Sequence, residues 1–157
     1  MSFRDAIARL ALADARRFEL QTAAMLREIL ESCRDEATRA VIREIAAEED
    51  QHARRLQEAA PGAKPPSPPL PAEEQAALPS PPDTAAPDGA TCDKLRVLLK
   101  KEEASVLFYS LLAERTPIPA VRRVFEQIAA QERGHAARLA GHIRQICQPR
   151  RDEENSS

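Results

Sequence analysis

The stretch that decides the fold is IAAEEDQHARRL at residues 45–56, because it returns almost unchanged as IAAQERGHAARL at residues 128–139. The two copies are offset by 83 residues, and each contains a Glu-x-x-His pair. These pairs are Glu49 with His52 and Glu132 with His135. Residues three apart on a helix share one face, so each pair can direct a carboxylate and an imidazole to a common point.

A further pair of acids follows the same offset. Glu19 lies 30 residues before Glu49, and Glu102 lies 30 residues before Glu132. Apolar side chains at helical spacing surround both acids, among them Leu26 near Glu19, which places both acids on inward-facing stripes. Burying such carboxylates costs several kcal/mol each unless a partner neutralises them. The repeat therefore predicts a cation site built from two similar halves.

Composition favours an all-α protein. The 157 residues include only four glycines and no tryptophan, and only 3% are aromatic, which favours helix over strand. The net charge of -2, from 23 basic and 25 acidic residues, gives no electrostatic footprint for nucleic acid or for an anionic membrane. No apolar run reaches the roughly 20 residues of a membrane helix. We therefore expect a soluble, cytoplasmic protein that binds neither nucleic acid nor membrane.

Apolar periodicity divides the chain into two helical hairpins. In the first hairpin, residues 1–60, one helix runs from about Ser2 to Ser32 and a second ends before the breaker pair Pro61-Gly62. In the second hairpin, residues 93–148, the prolines of Thr116-Pro-Ile-Pro119 separate two further helices. A polar tail, residues 149–157, follows.

Residues 61–92 hold ten of the 13 prolines and are predicted to be a linker. Such a chain cannot recover its ordering entropy by burial, so an extended or disordered crossover is expected. It is long enough to let both hairpins pack as one bundle, or to let hairpins exchange between two chains in a homodimer. A proline-motif ligand for a partner domain is the alternative role of this segment.

One Glu from each of two helices and a Glu-x-x-His from each of the other two is the ligand pattern of ferritin-like di-iron and di-manganese carboxylate bundles. The chain resembles this family, and within it a rubrerythrin-type protein without a rubredoxin module. The stretch EEASVLFY at residues 102–109 is similar to the Glu-to-Phe-Tyr stretch of that group. The resemblance implies two bound iron ions, with manganese as the alternative. It makes Glu19 and Glu102 terminal ligands, Glu49 and Glu132 bridging ligands, and His52 and His135 terminal nitrogen ligands.

The resemblance also implies a function, namely a di-iron oxidoreductase that reduces hydrogen peroxide or O₂. Electrons would come from an external donor protein such as a rubredoxin, since the three cysteines contain no Cys-x-x-Cys pair. The chain departs from full rubrerythrins at Ser105, where they carry an additional Glu. Two other functions stay open: a ferroxidase that sequesters iron, and a non-enzymatic helical module that binds partners through the proline-rich segment.

Tyr109, the only tyrosine, has two interpretations. It is either a packed core residue or, as the resemblance implies, a hydrogen-bond donor or redox-active neighbour of the metals. The corresponding residue of the first copy is Leu26, which predicts an asymmetric site.

Other polar residues near the repeat are assigned outside the ligand set. Glu103 lies about 100° around the helix from Glu102, so we expect it to face solvent or to support a ligand. Glu48 has Gln131 as its counterpart and is not expected to be a ligand, and His142 is expected on the surface or in packing. Cys33, Cys92 and Cys147 are widely spaced and odd in number, so we expect packed or surface thiols and neither a disulfide framework nor a paired-Cys metal site.

Overall fold

In the computed structural model, which describes residues 2–60, 62 and 89–147, the chain folds into helices throughout these ranges apart from short connections. The helices are α1 (Phe3–Ser32), α2 (Glu36–Glu58), α3 (Gly89–Arg115) and α4 (Pro119–Ile146). α1 packs chiefly against α2, and α3 packs chiefly against α4. The two hairpins meet through α2 with α4 and α1 with α3. The predicted all-α bundle of two hairpins is confirmed.

Local signals in the sequence set the helix ends. The Ser2 hydroxyl accepts a hydrogen bond from the backbone N–H of Asp5, and the Asp5 carboxylate accepts one from the N–H of Ser2, which forms a capping box at the start of α1. At the start of α2, the Asp35 carboxylate accepts from the N–H of Thr38 at 2.7 Å. Pro119 is the first residue of α4, where the missing N–H of proline costs nothing. These caps fix where each helix enters the bundle.

The start of α3 differs from the predicted boundary. α3 begins at Gly89, so residues 89–92, which the composition assigns to the linker, are helical. Thr91 and Cys92 are buried there, and this burial stabilises the added turn. Apart from Gly62, the rest of the predicted linker, residues 61 and 63–88, lies outside the described residues. The predicted tail, residues 149–157, also lies outside them.

The expectation that the cysteines form no disulfide is wrong. Cys92 and Cys147 are bonded, with Cα atoms 5.8 Å apart, so the first turn of α3 is joined to the residue that follows α4. The antiparallel packing of these helices brings together two residues that are 55 positions apart. Spacing along the sequence does not show that register. Cys33 lies buried in the apolar cluster against which Cys147 packs.

The apolar core is divided into two clusters along the bundle. One cluster surrounds the ring of Tyr109, and the other surrounds Leu98. The buried members of the first are Leu12, Ala15, Leu56, Tyr109, Ala113, Val121, Phe125, Ile128 and Ala129. The buried members of the second are Leu26, Ile29, Cys33, Ile42, Ile45, Leu95, Leu98 and Leu139. Each of the four helices contributes to both clusters.

Within the described residues, no helix is both long and apolar enough to cross a lipid bilayer.

Candidate metal centre

The candidate metal centre lies between the two apolar clusters. On α1 the buried Glu19 falls between Ala15 of one cluster and Leu26 of the other. On α3 the buried Glu102 falls in the same way between Leu98 and Tyr109. A polar layer thus interrupts an otherwise apolar core, as the repeat predicts.

The structure brings the six predicted ligand residues together. Glu19, Glu49, His52, Glu102, Glu132 and His135 are each at most 1% exposed. α2 and α4 each supply one Glu-x-x-His pair, and α1 and α3 each supply one glutamate. Water is excluded from all six, so electrostatic interactions among them are strong.

Ligand atoms form two overlapping groups. The first consists of Glu19, Glu49, His52 and Glu132, and the second of Glu49, Glu102, Glu132 and His135. Within each group, one ligand atom per residue lies within 4.8 Å of all the others. The groups share Glu49 and Glu132, the two residues that the resemblance makes bridging ligands. Each group could hold one cation, with the shared carboxylates between the two cations.

Both imidazoles direct Nδ1 toward the carboxylates. His52 Nδ1 lies 3.0 Å from Glu132 Oε1 and 3.3 Å from Glu19 Oε2. His135 Nδ1 lies 2.8 Å from Glu49 Oε1 and 3.3 Å from Glu102 Oε2. The two rings are stacked, with centroids 5.6 Å apart. In both halves of the repeat, therefore, Nδ1 is the nitrogen available to a cation.

Several of these buried atoms have no hydrogen-bond partner among the described residues. They include both carboxylate oxygens of Glu49, both of Glu102, Oε1 of Glu132 and Nδ1 of His135. The short separation between His135 Nδ1 and Glu49 Oε1 does not have hydrogen-bond geometry. Buried polar atoms are almost always paired, so this cluster needs a partner of opposite charge. Oxygen donors with two imidazoles suit iron or manganese, and the residues present fit a pair of such ions.

Without a metal, crowding shifts the pKa values of the carboxyl groups apart. Burial raises the pKa of Glu19 to about 8, and the neighbouring Glu49 adds to the rise against the opposing effect of His52. Burial likewise raises the pKa of Glu132 to about 9. Burial alone would raise the pKa of Glu49 as well, but His135 and His52 outweigh it and hold this pKa well below its ordinary value. Of the two carboxylates that both groups share, Glu49 is therefore the one that stays charged.

The histidines shift in the opposite sense to the one that burial alone would cause. Burial disfavours the imidazolium of His52, but Glu132, Glu19 and Glu49 outweigh this effect and raise its pKa to about 12. Glu102 and Glu49 similarly outweigh burial at His135 and raise its pKa to about 10. Protons therefore occupy the metal-free centre at neutral pH, and a cation must displace them.

The outer ring nitrogen of each histidine, Nε2, also has a hydrogen-bond partner, Gln131 for His52 and Glu48 for His135. The sequence pattern did not predict this role for Glu48 or Gln131. His135 Nε2 lies 2.9 Å from the carboxylate of Glu48 on α2, and Arg138 donates to the same carboxylate at 2.8 Å. Because a carboxylate only accepts, Nε2–H is the donor. In neutral His135 the lone pair is then on Nδ1, facing the cluster. Burial would raise the pKa of Glu48, but His135 and Arg138 hold it below its ordinary value.

The second histidine has an equivalent arrangement with an amide. His52 Nε2 lies 3.2 Å from Oε1 of Gln131 on α4, and Arg55 donates to this oxygen at 2.8 Å. Arginine can only donate, so the amide oxygen must face it and His52 Nε2–H must also donate. Glu48 belongs to neither of the two ligand groups, and its exclusion from the ligand set stays a prediction. One signal for this hydrogen-bonding role was available in the sequence. Glu48 and Gln131 occupy equivalent positions of the repeat, and both side chains carry an oxygen that can accept a hydrogen bond.

Tyr109 packs in the core and also donates a hydrogen bond to a residue of the cluster. Its hydroxyl donates to Glu19 Oε1, and its ring packs near Phe125 with centroids 6.0 Å apart. Burial, together with the charge of Glu19, raises its pKa, so the phenol keeps its proton. Leu26, at the equivalent position of the first copy, has no hydroxyl. Glu19 thus accepts a hydrogen bond from Tyr109, whereas Leu26 cannot donate one to Glu102.

The remaining polar residues near the centre lie largely as expected. Glu103 is exposed beside the buried Glu102. Ser105 and its counterpart Thr22 are buried, and their hydroxyls donate to carbonyls of their own helices at 2.9 and 3.1 Å. His142 is a packing residue, with its Nε2 lying 2.8 Å from the Thr38 hydroxyl. At position 105 the chain therefore supplies a hydroxyl where rubrerythrins carry a carboxylate.

A surface cavity of about 520 Å³ between α3 and α4 is separate from this centre. It is lined by charged side chains that include Glu114, Arg122 and Arg133, and by none of the six cluster residues. The cluster is therefore closed to this cavity.

Comparison with known proteins agrees with this geometry. Residues 93–156 match the rubrerythrin family. The match covers α4 and all but the first four residues of α3, and these helices carry Glu102, Glu132 and His135. This match confirms the predicted resemblance to rubrerythrins for the second hairpin. No curated protein sequence matches the chain.

Two solved structures show the same fold. One is a two-domain protein from Anabaena variabilis that contains DJ-1/ThiJ/PfpI-like and ferritin-like domains. It is 15% identical with a TM-score of 0.71, over 98% of this chain and 41% of that one. The chain thus spans about two-fifths of that protein's length. The other is a hypothetical protein from Pyrococcus furiosus, 20% identical with a TM-score of 0.67, over 89% of this chain and 90% of that one.

Proposed function

We propose that this protein is a di-iron oxidoreductase of the rubrerythrin type that reduces hydrogen peroxide or O₂. The main support for the proposal is the pair of overlapping ligand groups, which share Glu49 and Glu132. These groups contain buried carboxylate oxygens that have no hydrogen-bond partner among the described residues. The choice of peroxide or O₂ as substrate rests on the resemblance to rubrerythrins.

In this proposal Glu19 and His52 would hold one ion, and Glu102 and His135 would hold the other. Glu49 and Glu132, which belong to both groups, would contribute to both positions. The chemistry supplied by two bound irons is the two-electron reduction of an O–O bond.

The chain's own residues prepare the site for this chemistry. Apolar clusters on both sides exclude water from the six side chains. Tyr109 holds one oxygen of Glu19 by hydrogen bonding and thereby orients the other. Its buried phenol also keeps a proton close to the centre, where reduction of an O–O bond consumes protons.

Electrons must come from another molecule, and we propose an external donor protein such as a rubredoxin. The three cysteines of the sequence contain no Cys-x-x-Cys pair of the kind that holds a rubredoxin iron. Two of the three, Cys92 and Cys147, are bonded to each other.

The test is peroxide consumption by the iron-loaded full chain with a reduced electron donor. Wild-type protein is expected to consume peroxide, and Glu49→Ala is expected to abolish consumption because both ligand groups lose a member. Glu103→Ala is the matched control, since it removes an exposed carboxylate next to Glu102. Fe(II) oxidation with many irons retained per chain, and no peroxide reduction, would instead support the ferroxidase alternative.

A further inference from the structure

The two outer networks around the histidines are related by the repeat but differ in charge. Arg55 and Arg138 are equivalent at the 83-residue offset, and each binds the outer partner of a histidine. Glu48, however, is replaced by Gln131 at the same offset, and Glu44 is replaced by Gln127. The repeat has therefore kept both arginines and exchanged two carboxylates for two amides.

Around His135 the network is anionic. Glu48 accepts from His135 and from Arg138, and the second nitrogen of Arg138 lies 3.5 Å from Glu44. Two carboxylates face one guanidinium. The Glu48 side chain is 32% exposed, so it is partly shielded from water while Arg138 holds it in place.

Around His52 the network is cationic. Gln131 accepts from His52 and from Arg55, and it carries no charge. Among the described residues, Arg55 forms no ion pair with a carboxylate. In the part of the chain that the structure describes, the Arg55 guanidinium therefore lies behind His52 with no carboxylate paired to it, whereas Glu48 pairs with Arg138 behind His135.

This difference acts directly on the ligand atoms. A carboxylate that accepts from one nitrogen of an imidazole raises the basicity of the other nitrogen, and an amide does so less. The net charge of each network acts in the same direction, since an anionic surrounding favours a bound cation and a cationic one opposes it. Both effects favour the group that contains His135.

We propose that Glu48 is a positioning residue that makes the two metal positions unequal, so that the position with Glu102 and His135 fills first and more tightly. The inference rests on the two-metal site proposed above. It adds an order of loading, which the six ligands alone do not define, because they are the same in both halves of the repeat.

The test is an anaerobic titration of the metal-free full chain with Mn(II), followed by electron paramagnetic resonance. Free Mn(II) gives the binding isotherm, and the bound signal distinguishes an isolated ion from a magnetically coupled pair. Wild-type protein is expected to bind in two steps whose dissociation constants differ by more than the statistical ratio of identical sites. At one equivalent the bound signal is that of an isolated ion.

Variants show which Mn(II) binding step belongs to which metal position. Glu48→Gln is expected to weaken the tighter step about 10-fold or more and to leave the weaker step unchanged. Gln131→Glu is expected to tighten the weaker step, because Arg55 can hold the new carboxylate as Arg138 holds Glu48. The double variant Glu48→Gln/Gln131→Glu restores two unequal steps. Glu103→Gln is the control for loss of a nearby carboxylate that touches no histidine.

Histidine variants then locate the tight position. In wild-type protein, His135→Ala is expected to remove the tighter step and His52→Ala the weaker one. In the double variant this assignment reverses, which a purely structural role of Glu48 would not produce.

Equal steps in wild-type protein, or weakening of both steps alike by Glu48→Gln, would overturn this inference and leave the two-metal site standing. Wild-type protein that binds no Mn(II) and no Fe(II) would overturn both the inference and the proposed function.

Discussion

His52 and His135 stack at the centre of the bundle, with ring centroids 5.6 Å apart and ring planes 19° apart. They come from different hairpins and occupy equivalent positions of the repeat. Each directs Nδ1 toward shared carboxylates and Nε2 toward a partner on the opposite hairpin. The centre therefore also joins the hairpins, and changes to it should affect stability as well as metal binding.

Metal binding should stabilise the fold. Several carboxylate oxygens of the cluster are buried with no hydrogen-bond partner in the described ranges, and a bound cation would compensate for them. At a free metal concentration of about 100 times the dissociation constant, binding adds about 2.7 kcal/mol per site to the free energy of unfolding. Chemical denaturation with and without anaerobic Mn(II) measures this gain. An unchanged unfolding midpoint would count against the site, and Glu49→Ala should abolish the gain.

The stability of the metal-free protein should fall as pH rises from about 5 to about 10. The folded-state pKa values of Glu19 and Glu132 are about 8 and 9, above the ordinary value of 4.5, and those of His52 and His135 are about 12 and 10, above 6.5. Raised pKa values mean that the folded state binds more protons than the unfolded state. The resulting stability is fully present below the ordinary values and is lost as pH rises through the raised ones.

Urea denaturation of chelator-treated protein at several pH values across this range tests the prediction. Glu49, whose pKa is lowered, acts in the opposite sense, but only below its ordinary value of 4.5. The gain from added metal should grow with pH, because metal competes with the same protons. A metal-free stability that rises between about pH 5 and pH 9 would contradict these pKa directions.

Tyr109→Phe should weaken metal binding by the group that contains Glu19 while preserving the core. The phenylalanine ring can still pack near Phe125, but Glu19 loses its hydrogen bond from the hydroxyl. Loss of this hydrogen bond should also lower the stability of the metal-free fold by about 1–3 kcal/mol. The Mn(II) isotherm should show the weaker step reduced more than the tighter one. Ser110→Ala, next in the sequence, is the matched loss of a hydroxyl, because Ser110 donates only to a carbonyl of its own helix.

Reduction of the Cys92–Cys147 disulfide should destabilise the second hairpin. The bond joins residues that are 55 positions apart. Because it restricts the unfolded chain, a bond of this span contributes up to about 4 kcal/mol to the free energy of unfolding. Thermal unfolding of Cys92→Ser/Cys147→Ser, compared with oxidised wild-type protein, measures the loss. Cys33→Ser controls for the removal of a buried thiol that lies outside this bond. Equal melting temperatures for oxidised and reduced wild-type protein would contradict the prediction.

The sequence predicted the fold and the six cluster residues because both follow from regular spacing. Helical periodicity shows which stripe faces inward, and the constant offset selects Glu102 over its exposed neighbour Glu103. The same spacing shows that Glu49 and His52 share a helical face. These features can be read from positions along the sequence, without the alignment of the helices in space.

What the sequence did not show depends on how different helices align. Glu48 looks like part of a solvated face until α2 lies beside α4, where it meets His135 and Arg138. The disulfide likewise depends on the antiparallel register of α3 and α4, which places residue 92 beside residue 147. For Tyr109, only the approach of α1 to α3 shows that one side chain both packs and donates.

The most direct test of the central claim is the metal content of purified protein after anaerobic loading with Fe(II) and removal of excess metal. Wild-type protein is expected to retain two ions per chain, one for each ligand group, and Glu49→Ala is expected to lose most of both. Glu103→Ala should match wild type. A wild-type protein that retains no iron or manganese, or a Glu49→Ala variant that retains as much as wild type, would contradict the account.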